Sequence, residues 1–196
     1  MTKPLRVALF VGHRGPGTGS VAAGVDEYEQ NQKAAVAIGA QLMLRGHQPF
    51  ICTGQGEHSI EQRALLAETC KPDCAIACHF NAHDSDAHGC EVLYHPADES
   101  ASTLALTCAA NIARATGVHM RHAEHCGTVQ VDDLKILNYM HSSKIPAVLI
   151  EPLFLTSEPN RETLAGENYF RNLGNAVADS VVVWAAVWKK AVVDGE

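Results

Sequence analysis

Three short apolar runs, each closing on an ionisable side chain, constrain this chain more than any other feature. Arg6–Val11 (RVALFV) leads into Gly12-His13, Cys74–Cys78 leads into His79 (CAIACH), and Ala147–Ile150 leads into Glu151 (AVLIE). Runs of this length with turn residues beside them read as strands buried on both faces. Between them the periodicity changes. From Asp26 onward Ala34, Ala35, Ile38 and Leu42 recur at helical spacing, and the pattern stops at Arg45-Gly46. Ser59 with Gln62 three residues later is a capping box that opens a further helix. Ser100–Thr116 carries Leu104, Cys108, Ile112 and Ala115 on one face and ends at Gly117, and Phe170, Val177, Val181, Trp184 and Trp188 share one face of a final helix. Pro49–Cys52 and Gly89–Tyr94 complete the strands, while the glycine-rich stretch after His13, the TGQGEH stretch and the His-rich stretch from Val118 to about Asp133 read as loops.

Strands alternating with helices predict an α/β domain, with a largely parallel twisted sheet and helices on both faces. At 196 residues the chain has room for one such core, so residues 1–196 are expected to form a single domain. In sheets of this kind ligands bind beyond the carboxyl ends of the strands. That rule places His13, His79 and Glu151, far apart in sequence, on one rim. Glu27, in the first turn of the helix after the first strand, reaches the same rim. Two imidazoles and a carboxylate are a catalytic zinc set that leaves a fourth position for water. The remaining carboxylate, Glu151, is placed to serve as a general base. Glu29 lies in the same helical turn as Glu27 and competes with it for the ligand role.

Charge and composition narrow the partners. A formal net charge of -7 argues against nucleic acid, which calls for clustered Lys and Arg, and against stable association with a membrane surface. Seven cysteines, an odd number scattered through apolar segments, suggest reduced core thiols rather than a disulfide framework. Cys74 and Cys78 fall on one face of their strand. The amino-terminal MTKPLRVALFVGH reads as a first strand and not as a signal peptide, so synthesis and residence in the cytoplasm are the expectation. Eleven histidines raise the prior for a metal. His83 and His88 read as solvated loop residues. His119, His122 and His125 with Cys126 read as a polar loop rimming a groove, the other reading being a second metal site. Trp184 and Trp188 read as core anchors.

The segments VALFVGHRG, DEYEQN, IGAQLMLRGH, EQRALLAE, IACHFNAHDSDAHGCEVLYH and LKILNYMHSSKIPAVLIEPLFLTS follow one another through nearly the whole chain. In that order they resemble the zinc-dependent N-acetylmuramoyl-L-alanine amidases, hydrolases of the bacterial cell wall. The resemblance implies Zn²⁺ held by His13, Glu27 and His79, with Glu27 preferred over Glu29 because Asn31 follows it at the family's spacing. It implies Glu151 as the catalytic carboxylate. Asn81 matches the asparagine after the second histidine, as a substrate-binding group or as a cap on the turn. Arg63 stands where the family often has an arginine, read here as a structural ion pair. The chain departs from the family at Ala77 and at Pro152-Leu153-Phe154, with Thr156 and Ser157 nearby, which bears on the shape of the groove.

The implied substrate is peptidoglycan or its muropeptide fragments, cut between the lactyl group of N-acetylmuramic acid and the first L-alanine of the stem peptide. A monomeric enzyme made in the cytoplasm and acting on the wall after release, in the manner of a phage endolysin, is the expectation. The alternatives are a cytosolic zinc amidohydrolase for small N-acylated amino acids or wall fragments, and a non-catalytic wall-fragment binder.

Overall fold

In the computed structural model, β1 (Arg6–Val11) lies inside a six-stranded sheet, paired in parallel with β4 (Gln48–Cys52) and with β5 (Cys74–Cys78). The structure describes residues 3–54, 59–83 and 86–194, with side chains as far as Trp188. Part of the TGQGEH stretch and Asp84-Ser85 of the IACHFNAHDSDAHGCEVLYH segment therefore lie outside the described residues. The sheet continues through β8 (Ala147–Glu151), parallel to β5, then β6 (Glu91–Tyr94) and β7 (Thr128–Gln130), giving the order β4-β1-β5-β8-β6-β7. β6 is antiparallel to β8 and parallel to β7. The sheet is thus largely parallel, as expected, with one reversal.

Both faces are covered, and the alternation along β1 shows how. Val7, Leu9 and Val11 point into a layer made by α1 (Glu27–Leu44), α3 (Glu99–Thr116) and α6 (Tyr169–Asp194), the last preceded by the short α5 (Glu158–Leu164). Ala8 and Phe10 point into the opposite layer, made by α2 (Ile60–Thr69) and α4 (Lys135–Ser142). The first layer is filled by large side chains, among them Leu9, Ile38, Ile76, Leu104, Ile112 and Ile150, all fully buried. Each such side chain contributes roughly 1.5–3 kcal/mol of hydrophobic stabilisation. On the second face Ala8, Ala75, Ala77 and Ala147 meet Ala64 and Ala67 of α2, so this helix layer sits close to the sheet. Cys74 and Cys78 share the first face with Ile76. All seven cysteines are free, and burial pushes the thiols of Cys78 and Cys108 up to about 12, where they stay protonated.

Local signals set the helix ends. The Asp26 side chain accepts from the Glu29 N–H, Ser59 and Gln62 form the capping box, and Gly117 closes α3 in the left-handed conformation, φ 72°. Trp184 anchors α6 by donating its indole N–H to Ser100, and Trp188 packs at the edge of the same core. Two stretches expected to be loops contain strands. Val21–Ala22 (β2) and Val25–Asp26 (β3) form a short antiparallel ribbon within the glycine-rich segment, and β7 lies inside the His-rich one. These strands are two or three residues long and are held by pairing, which leaves no periodicity to read. No helix of the described residues is long and apolar enough to cross a membrane.

Candidate active site

The loop after β1 turns at once. His13 sits at φ 64°, a left-handed conformation that is strained for a side chain of this size. Two features hold it there. The buried Arg63 donates from its guanidinium to the carbonyls of Val11, at 2.8 Å, and His13, at 3.4 Å. Gly54 presses against the His13 carbonyl so closely that a Cβ there would lie 2.2 Å from it. Arg63 therefore serves backbone carbonyls, and the structural ion pair expected for it is replaced by this clamp. In this conformation the His13 imidazole reaches Glu27.

Glu27 opens α1, and the Asp26 cap aims it at the same spot. Its Oε2 accepts from the Ser20 N–H at 2.9 Å. Its Oε1 lies 2.9 Å from His13 Nε2 and 3.0 Å from His79 Nδ1. His79, the first residue after β5, is held in the sheet by its own N–H, which donates to the Ile150 carbonyl at 3.1 Å. Glu27 is 4% exposed, and its burial acts to raise the carboxyl's proton affinity. The hydrogen bonds from His13, His79 and Ser20 outweigh that and hold it well below the usual carboxylate range. The same bond to Glu27 raises the pKa of His13 despite its partial burial. One ligand atom from each of His13, Glu27 and His79 lies within 4.8 Å of the others. Among the described residues no other set of His, Cys, Asp and Glu does so. Glu29 is exposed on the far side of the turn, its N–H bonded to Asp26.

Glu151 ends β8 beside His79. Its Oε2 is shielded from solvent and has no hydrogen-bond partner. Burial, reinforced by the nearby carboxylates of Glu27 and Glu91, pushes its pKa well above the ordinary value. A carboxyl whose proton affinity is raised in this way is a candidate for taking and returning a proton.

Asn81 is engaged inside the chain. Its Nδ2 donates to Glu91 Oε1, at 2.6 Å, and its Oδ1 accepts from the Ala82 N–H, at 2.9 Å, the capping arrangement. Its backbone pairs with the stretch after Glu151: Asn81 N–H donates to the Leu153 carbonyl and Leu155 N–H to that of Asn81, so the departure at Pro152-Leu153-Phe154 is a buried extension of the sheet edge. Glu91, which the sequence reading did not single out, also accepts from Arg121 Nε and pairs with His122 Nε2, each at 3.0 Å. The signal for it was a glutamate opening an otherwise apolar strand, GCEVLY. Among the described residues the other histidines join no ligand set, although His95 and His141 stack with ring centroids 4.0 Å apart. His88 packs against His119, with ring centroids 5.7 Å apart, and His125 and Cys126 are exposed. His83 is exposed, its N–H donating to Thr156 Oγ1 at 3.1 Å.

The profile of the N-acetylmuramoyl-L-alanine amidases matches residues 7–182. The chain belongs to this family. Among curated proteins it is similar to the N-acetylmuramoyl-L-alanine amidase LytC of Bacillus subtilis (strain 168), 25% identical over 177 residues, covering 87% of this chain and 34% of LytC. It thus spans about a third of the length of that amidase. Among solved structures it is similar in fold to an N-acetylmuramoyl-L-alanine amidase from Clostridium difficile 630, with TM-score 0.81 and 23% identity over 94% of this chain and 98% of that one. It is also similar to the catalytic domain of the CD27L endolysin targeting Clostridia Difficile, with TM-score 0.75 and 22% identity over 91% of this chain and 97% of that one. The whole architecture of an amidase catalytic domain is therefore present here.

Proposed function

We propose that this chain is a zinc-dependent hydrolase that cleaves the amide between the lactyl group of N-acetylmuramic acid and the first L-alanine of the peptidoglycan stem peptide. Family membership supports the bond and the substrate class. The observation that carries the reading is the convergence of His13 Nε2, His79 Nδ1 and Glu27 Oε1, from three separate elements, on one point.

The donor set fits zinc. Two neutral imidazoles and one carboxylate are ligands of the softness this ion takes, and three protein ligands leave a position open. The carboxylate is already ionised, and the cluster opens to solvent, with the side chains of His13 and His79 28% and 22% exposed. When bound, zinc supplies a Lewis acid and lowers the pKa of a coordinated water to roughly 7. The rest belongs to the chain. Glu27 is oriented by the Ser20 N–H, His13 by the Arg63 clamp, and His79 by the sheet. Glu151, raised in proton affinity, accepts a proton from the attacking water and returns it to the leaving alanine nitrogen.

A role in wall lysis after release from the cell belongs to the same proposal, and the likeness to a solved endolysin catalytic domain supports it. The test is incubation with purified peptidoglycan, with and without a zinc chelator. Stem peptides with a new N-terminal alanine, lost on chelation and restored by Zn²⁺, are the expected result. Hydrolysis confined to small N-acyl amino acids, or binding of fragments without cleavage, would replace this reading with one of its rivals.

A further inference from the structure

One turn beyond Glu27, on the same face of α1, stands Asn31. Its side chain is 0% exposed, and neither its Oδ1 nor its Nδ2 has a hydrogen-bond partner. A buried amide in this condition costs about 1–3 kcal/mol per unpaired group. Native proteins keep few such groups without a use for them. Its helix neighbours Tyr28, Ala34, Ala35 and Ile38 are buried and mostly apolar, so packing alone would be served as well by leucine.

The location of the amide suggests the use. A Cβ on Gly12 would lie 2.7 Å from Asn31 Nδ2 and 2.6 Å from His79 Nε2. The two nitrogens therefore flank the same small gap and are at most 5.3 Å apart, the sum of those distances. Only glycine at position 12 leaves that gap free. His79 presents its other nitrogen, Nδ1, to Glu27. A neutral imidazole that gives its Nδ1 lone pair to a cation carries its proton on Nε2, and an acceptor for that N–H fixes the ring.

We propose that Asn31 is a positioning residue for the metal centre: its side-chain amide accepts the Nε2–H of His79 when Nδ1 is committed to the cation, fixing the tautomer and the ring. The inference rests on the zinc reading above. In the metal-free structure Asn31 makes no such bond. Once Nδ1 is committed to the cation, a turn of the amide presents Oδ1 to the Nε2–H, a role open to an ionised aspartate and closed to leucine.

The experiment measures Zn²⁺ affinity of the full chain by competition with a chelating dye, for the wild type, Asn31→Leu and Asn31→Asp. It is joined by ¹⁵N spectra of histidine-labelled, zinc-loaded wild type. Outer ligand partners of this kind are worth about 10–100-fold in affinity. Asn31→Leu is expected to lose that much, while its metal-free thermal stability equals or exceeds the wild type's. Asn31→Asp keeps wild-type affinity or surpasses it, and His79 shows a protonated, hydrogen-bonded Nε2. Undiminished affinity in Asn31→Leu, alongside a wild type that binds zinc, overturns the inference and leaves the zinc reading standing. Should Asn31→Leu not fold, the spectrum decides: zinc on Nε2 of His79, or an Nε2–H exchanging freely with water, overturns it. A wild type that binds no zinc removes both.

Discussion

Glu91 and Glu151 stand opposite each other on antiparallel β6 and β8, and only one of them is compensated. Glu91 is surrounded by Asn81, Arg121 and His122, each within 3.0 Å. Glu151 keeps an Oε2 with no partner. Like charges on facing strand positions destabilise. Here the uncompensated member is the group placed to handle protons, so the instability is concentrated where the chemistry needs it.

This asymmetry has a pH signature in the metal-free protein. The pKa of Glu151 is raised in the folded state, so above the ordinary value of 4.5 the fold retains a proton that the unfolded chain releases. The stability associated with Glu151 is complete below that value and declines as pH climbs from there toward the raised folded pKa. Glu151→Gln cannot ionise and escapes the decline. Thermal melts should show it more stable than wild type at neutral pH, by about 2–4 °C per kcal/mol relieved, and indistinguishable from it below about pH 4. In the same variant zinc affinity should persist while turnover on peptidoglycan falls roughly 10²–10⁴-fold. Undiminished turnover would remove Glu151 from the mechanism.

Removing His79 has a different outcome. His79→Ala takes away one of the three donors and exposes Glu27 to a single imidazole. Both zinc binding, read by equilibrium dialysis, and hydrolysis should be lost, and added Zn²⁺ should not restore them. Retention of stoichiometric zinc would show that the ion sits elsewhere.

Gly12→Ala tests the crowding behind the cluster. The added methyl would lie 2.5 Å from His79 Cε1 and 2.7 Å from the fully buried Asn31 Nδ2. Overpacking of this kind costs about 1–3 kcal/mol. Denaturant melts should show that loss, with a parallel fall in zinc affinity as the His79 ring is displaced. A variant with wild-type stability and affinity would mean that the gap is wider than the structure has it.

Arg63→Met keeps much of the aliphatic stem and deletes the donors to the Val11 and His13 carbonyls. Leaving those acceptors unpaired should lower stability by about 1–3 kcal/mol. With the left-handed turn at His13 released, zinc affinity should drop more than it would for a surface substitution of equal stability cost. An affinity unchanged in the face of lowered stability would confine Arg63 to a packing role.

Much of this arrangement was legible in the sequence because strand ends and helix caps are written locally. AVLIE is bounded as read, Asp26 and Ser59 cap their helices, and Gly117 closes α3. The rim rule then needed only the last residue of each strand to bring His13, His79 and Glu151 into one neighbourhood. What could not be read depends on partners distant in sequence. The β2–β3 ribbon and β7 exist only through pairing. The eight-residue α4 is too short to declare itself beside a polar loop, although Ile136, Leu137 and Met140 are buried on it. Glu91 acquires meaning only once Asn81 and the Arg121-His122 corner converge on it. Arg63 read as one member of an ion pair because its real acceptors are carbonyls, which no residue code reveals.

The reversal of β6 divides the labour of the rim. His13, Glu27 and His79 come from the half of the sheet built on β1 and β5, whereas the segments entering β6 and β7 approach the same rim from the other half, since those strands run the opposite way to β8. Substitutions within residues 118–127, Arg121 and His122 apart, can consequently reshape that half of the rim without removing any of the three donors. The topology separates the half that carries the donors from one that carries none of them, and redesign of the second is the natural route to retargeting this scaffold.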